Sequence, residues 1–173
     1  LAPMNIHDLP DPAFDQLVGE LGTAGLSVAA FGSVIGNWAH SIEDDFAITE
    51  GEIARAIPKM QRLGTGFVRI MSYKPRLDAD GRDLPDQMEV ERFRRLREIK
   101  RRFDDAGLTC VHENCMNYGG MSISHALRTL DGRAKSTAFA KEILDRFSSD
   151  PAVVIRWSET ASATDYAVFA SIV

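Results

Sequence analysis

Apolar residues recur along the chain in two alternating rhythms. In DPAFDQLVGELGTAG, residues 11–25, Phe14, Leu17, Val18 and Leu21 fall at helical spacing. Asp11 and Pro12 supply a cap and a residue favoured in the first turn, and Gly25 closes the segment, so a helix is predicted. LSVAAFGS at 26–33 is a short, almost continuous apolar run and predicts a buried strand. The pair then repeats. FAITEGEIARAIPKMQRLG, residues 46–64, predicts a helix closed by Gly64. It should kink or locally unwind at Pro58, where the ring removes a backbone donor and crowds the preceding turn. TGFVRIMSY at 65–73 predicts the next strand. A loop of turn residues, KPRLDADGRDLPDQ, leads to the most regular amphipathic helix of the chain at 89–107, and LTCVHEN at 108–114 predicts a third strand.

Helix and strand in alternation, each helix closing on a glycine before a brief apolar run, predict β/α units on a parallel sheet. Such sheets bind ligands beyond the carboxyl ends of their strands, whether they stay open or close into a barrel. Ser33, Arg69 with Ser72, and His112 with Glu113 and Asn114 all end predicted strands and should share one rim. A parallel strand is covered on both faces, so an ionised Glu113 needs a cation beside it, either Arg69 of the neighbouring strand or a bound metal. Residues 132–173 lose the rhythm. A helix at 134–149, a strand at 152–157 and a further strand or apolar tail at 165–173 are expected there, within the same domain as residues 1–131.

Composition narrows the classes. A chain of 173 residues is enough for one well-cored domain, because a domain of roughly 150 residues buries about two thirds of the surface its unfolded chain exposes. The net charge of -5 argues against a nucleic-acid partner. The basic run RFRRLREIKRR at 92–102 does not reverse this: Phe93, Leu96, Ile99 and Phe103 recur through it at helical spacing, so its charges read as the solvated face of an amphipathic helix. No apolar stretch nears the roughly 20 residues of a membrane span, so no membrane partner is expected. Cys110 and Cys115 lack a matching pair at zinc spacing and read as reduced thiols of a cytoplasmic protein, with Cys110 in the core.

Four blocks carry a family likeness: GSVIGNW at 32–38, LGTGFVRIMSY at 63–73, the arginine-rich helix, and AGLTCVHENCMNYGG at 106–120. Together they resemble the sugar phosphate isomerase and epimerase family, TIM barrels of the xylose-isomerase-like type, over residues 11–131. The resemblance implies an α/β fold that is a partial TIM barrel, its three strands matching the second to fourth of eight, with the first ahead of Leu1. It implies metal-assisted isomerisation or epimerisation of a sugar or sugar phosphate, with Glu113 as a ligand to Mg²⁺ or Mn²⁺ and Arg69, His112 and Asn114 around the substrate. In relatives a strand ending in an Asp-containing motif, then a His and a Glu, complete the metal site. Residues 132–173 match none of these, and the second acid/base group is not identified. The chain therefore reads either as such an enzyme or as a non-catalytic partial barrel that self-associates or binds a sugar or a partner chain. A gene fragment, a divergent variant and a product whose frame changes after the fourth strand all fit.

Each residue also has a plainer reading. Glu113 can be the counter-ion of Arg69, and Arg69 can instead fork onto a phosphate or carboxylate. His112 can touch substrate or pack between strand and helix. Asn114 and Asn117 can bond sugar hydroxyls or shape a turn, and Tyr118, Gly119 and Gly120 read as shaping the loop. Trp38 and Phe46 can wall a sugar ring or anchor a loop. His40, Glu43, Asp44 and Asp45 read as a solvated loop and helix cap. No nucleophile elbow, phosphate loop, HExxH or dinucleotide fingerprint occurs.

Overall fold

The computed structural model describes residues 5–131 and 168–169. After a 3-10 turn at Ile6–Asp8 come α1 (Asp11–Thr23), β1 (Phe31–Gly32), α2 (Phe46–Leu63), β2 (Phe67–Ile70), α3 (Glu89–Asp105), β3 (Thr109–Asn114), a 3-10 turn at Tyr118–Gly120, α4 (Ile123–Asp131) and β4 (Val168–Phe169). The strands form one sheet in the order β1-β2-β3-β4. β1, β2 and β3 are parallel, with Phe31 opposite Val68, Val68 opposite Cys110, and Ile70 opposite His112; β4 runs antiparallel to β3 at Glu113 and Asn114. This is an unclosed α/β arrangement with the parallel strands that the alternation predicts, of the partial-barrel kind that the resemblance implies. The expected helix at 134–149 and strand at 152–157 lie outside the described residues.

Register assigns the two faces of the sheet. Val68 and Ile70 join Ile53, Ala56 and Met60 of α2 and Leu96, Ile99 and Phe103 of α3 in one buried cluster, with Cys110 packed against it. Phe67 and Arg69 alternate onto the opposite face, where Phe67 is 48% exposed. A barrel would fill that interior face, and parallel sheets ordinarily cover both faces.

Two expectations are corrected. The apolar run at 26–33 forms a strand only at Phe31–Gly32, and Leu26 is 63% exposed. A ladder needs a neighbour: β2 pairs only with the last residues of the run, while Thr65 Oγ1 donates to the Ala29 carbonyl at 3.2 Å. Of the kink or unwinding expected at Pro58, the unwinding does not occur: α2 stays helical from Phe46 to Leu63. The helix is held by its own ends, since Asp45 accepts a hydrogen bond from Ala47 N at 2.9 Å and Gly64 takes the left-handed conformation at φ 66°. Five residues of its buried stripe also pack inward.

The basic helix α3 behaves mostly as a solvated face. Arg94 and Arg95 pair with Glu91, Arg101 and Arg102 with Glu98, and Lys100 with Asp104. Arg92 and Arg95 depart from that reading: both are buried, Arg92 fully, and Arg95 also donates to the Asp44 carbonyl at 2.9 Å. Among the described residues, no helix is long and apolar enough to cross a membrane.

Candidate functional site

The carboxyl ends of the three parallel strands bring together the polar residues that the strand endings predict. Arg69 stands opposite Val111 in the β2–β3 ladder, so Glu113, two residues on, projects from the same face. Arg69 Nη1 lies 3.1 Å from Glu113 Oε2, and Arg69 Nη2 donates to the Ser33 carbonyl at 2.8 Å. Ser33 Oγ returns a bond to the Arg69 carbonyl at 2.5 Å, which ties β1 to β2 at the rim. The charge contact is not an aligned hydrogen bond. Glu113 Oε2 and Arg69 Nε are buried without a hydrogen-bond partner among the described residues.

His112 and Asn114 belong to the other side of the strand. His112 is in register with Ile70 of the core, and its ring packs against Gly119, where an added Cβ would come within 2.5 Å of His112 Cε1 and 2.8 Å of Asn114 Oδ1. The ring lies on the core side of β3, against the rim turn that carries Gly119. Burial pushes the His112 imidazole down to about 4, with the Asn114 side chain opposing, so the ring is neutral near pH 7. The Cys110 thiol on the same face is pushed up to about 12 by burial and is inert as a nucleophile.

Between the ends of β2 and β3 lies a polar web that the strand endings only half predict. Ser72 Oγ lies 2.8 Å from Asn117 Oδ1 and accepts from Gly119 N at 2.7 Å. Asn117 Nδ2 donates to the Glu113 carbonyl at 2.8 Å. Tyr118 N bonds the carbonyl of Tyr73, a residue in the left-handed region at φ 64°, where a side chain costs about 1–2 kcal/mol. The strain is held by close packing: Tyr73 N reaches Gly36 O at 2.5 Å and the Tyr73 hydroxyl meets Thr49 Oγ1 at 3.2 Å. Gly36 must be glycine here, since at φ 64° an added Cβ would meet Met71 O at 2.5 Å.

Sequence reasoning missed Arg92 altogether. Its guanidinium donates to the carbonyls of Ser72, Lys74 and Gln87 and stacks 4.7 Å from the Tyr118 ring centroid. Burial lowers it to about 10, still charged near pH 7. The helical spacing around Arg92 gave no signal of this, because its partners are backbone carbonyls of a loop. His40 is likewise more than loop: its Nε2 lies 3.2 Å from Glu52 Oε1 of α2, and that hydrogen bond raises its pKa. Trp38 is half exposed on the loop after β1, and Phe46 lies under the guanidinium groups of Arg94 and Arg95.

A carboxylate as buried as that of Glu113 is a suitable hard oxygen ligand, shared here with the Arg69 guanidinium 3.1 Å from Oε2. Yet no group of three His, Cys, Asp or Glu side chains able to hold a metal occurs among the described residues. These residues fit a divalent ion as one wall of a site and not as a complete site.

No family model and no curated protein matches the sequence. Solved structures do match the fold. A xylose isomerase-like TIM barrel protein from Mycobacterium smegmatis, in complex with magnesium, aligns with a TM-score of 0.54 at 15% identity, over 73% of this chain and 44% of its own. The probable 3-DHS dehydratase AsbF from Bacillus anthracis, involved in petrobactin synthesis, aligns with a TM-score of 0.51 at 14% identity, over 69% of this chain and 41% of its own. The chain thus has the fold of part of a xylose isomerase-like TIM barrel and spans less than half the length of these two proteins.

Proposed function

We propose that the chain carries the Glu113 wall of a metal-assisted isomerase or epimerase site for a sugar or sugar phosphate. The observation that carries this reading is the Glu113 carboxylate, which stands buried on the barrel-interior face of the rim, its Oε2 meeting the Arg69 guanidinium at 3.1 Å without an aligned hydrogen bond. The magnesium in the Mycobacterium smegmatis protein supports it. A divalent ion held by Glu113 would polarise the carbonyl and neighbouring hydroxyl of such a substrate. Arg69, on the same face, would bind a phosphate or carboxylate of the substrate. His112 and Asn114 would act from behind the strand, as neutral supports and not as charged ligands.

The test is Mn²⁺ added in substoichiometric amounts to isotope-labelled full chain. Selective paramagnetic broadening of the amide signals around residues 69–70 and 112–114 is expected in wild type and absent in Glu113→Gln. Uniform or no broadening in wild type removes the metal role.

A second reading has its own support. Among the described residues, the exposed Leu26 beside the short edge strand β1 and the exposed Phe67 on one sheet face leave apolar side chains open at the side of a parallel sheet. Unpaired edges favour self-association, so a non-catalytic partial barrel that pairs with a second copy is the competing proposal.

A further inference from the structure

The buried web beside Glu113 has a direction that the hydrogen bonds determine. Gly119 N–H can only donate, and it donates to Ser72 Oγ at 2.7 Å. The Ser72 hydroxyl proton is then available to Asn117 Oδ1 at 2.8 Å, which makes that end of the amide the acceptor. The two amide protons of Asn117 consequently face the Glu113 carbonyl at 2.8 Å and Cys115 Sγ at 3.4 Å. Ser72 and Asn117 are both fully buried or nearly so. At the far end, the buried Arg92 guanidinium grips the Ser72 carbonyl.

We infer that Ser72 and Asn117 are positioning residues for Glu113: they hold its backbone from the end of β2 and so set where its carboxylate stands relative to Arg69. This rests on Glu113 being the chemical centre of the rim. The carbonyl of Glu113 is the point at which β3 gives way to the irregular segment 115–117, and β2 hydrogen-bonds β3 through residues 67–70 and 109–112 only. The Asn117 amide adds a direct hold on the Glu113 carbonyl beside the ion pair, the β4 pairing at Glu113 and Asn114, and the bonds from Tyr118 N and Gly119 N that tie the following turn to the end of β2. Glycine at 119 completes the device, because a Cβ there would stand 3.2 Å from Ser72 Oγ and 2.5 Å from the His112 ring.

The test measures the coupling between Arg69 and Glu113 in the full chain without metal. Unfolding equilibrium constants of wild type, Arg69→Met, Glu113→Gln and the double variant form one cycle, repeated in Asn117→Asp and in Ser72→Ala. Asp at 117 keeps the acceptor for Ser72 but has no proton for the Glu113 carbonyl; Ala at 72 removes the hydroxyl that orients the amide. In the wild-type background the cycle should be non-additive by about fivefold in the equilibrium constant, and in either variant additive within about twofold. Coupling that stays at its wild-type level while overall stability falls overturns the inference, since a merely structural web would do that. Failure of both variants to fold overturns it as well. Because no metal enters the cycle, coupling that responds to Asn117→Asp alongside an absent Mn²⁺ response would sink the metal reading and leave the positioning role standing.

Discussion

Arg69 reaches Glu113 diagonally across the β2–β3 ladder: the guanidinium passes over its register partner Val111 to bring Nη1 within 3.1 Å of Oε2. The pair is unequal in solvation, with the Glu113 side chain 13% exposed and that of Arg69 35%. Removing either member leaves the other charge behind, and the more buried remnant costs more. Arg69→Met, which strands the carboxylate, should destabilise the chain by about 2–3 kcal/mol, and Glu113→Gln, which leaves a half-solvated guanidinium, by about 1 kcal/mol. Urea unfolding at pH 7 decides. Equal costs, or the reverse order, would show that solvation does not rank the two.

Acid should weaken the fold through His112. Its folded pKa of about 4 lies below the ordinary 6.5, so between those values the unfolded chain binds the proton that the folded chain refuses. The stabilisation is complete above pH 6.5 and lost as pH falls towards 4, by on the order of 2–3 kcal/mol. His7 and His125, also lowered by burial, push the same way. His40, raised by Glu52, opposes them, its contribution being present at low pH and lost as pH rises through its folded pKa. The unfolding midpoint followed from pH 7.5 to 4 should drop, and His112→Phe should flatten most of the slope. An unchanged slope in that variant would acquit His112.

Two glycine substitutions should differ in sign. Gly36→Ala meets both a left-handed φ of 64° and the Met71 carbonyl, so a loss of about 2–4 kcal/mol is expected. Gly22, in the last turn of α1, has open space around it, and Gly22→Ala should stabilise by about 0.5–1 kcal/mol through helix propensity. Thermal unfolding of the two variants reads both signs at once.

If the exposed sheet edge and face pair with a second copy, charge placed there should separate the copies. Sedimentation velocity at tens of micromolar should show a dimer or larger species for wild type and a monomer for Leu26→Lys and Phe67→Lys. A wild-type monomer across that range removes the self-association reading.

What could be read from the chain alone was what depends on near neighbours. The expected helix at 46–64 is the observed Phe46–Leu63 because its cap, its periodicity and its closing glycine act within a few residues of the backbone they control. The meeting of Arg69 and Glu113 was also legible, since opposite charges at the ends of successive parallel strands have few other places to go. Tertiary structure decided the rest. The run at 26–33 is as apolar as a buried strand, but a strand exists only where a neighbour offers its hydrogen bonds, and β2 offers them to Phe31 and Gly32 alone. Which way His112 faces follows from its register with Ile70, a relation between residues 42 positions apart that no local pattern encodes. Arg92 looked like any other charge in a basic helix; it is buried because the loop after β2 folds three carbonyls around it, and a cation can leave water only where such partners have already been assembled.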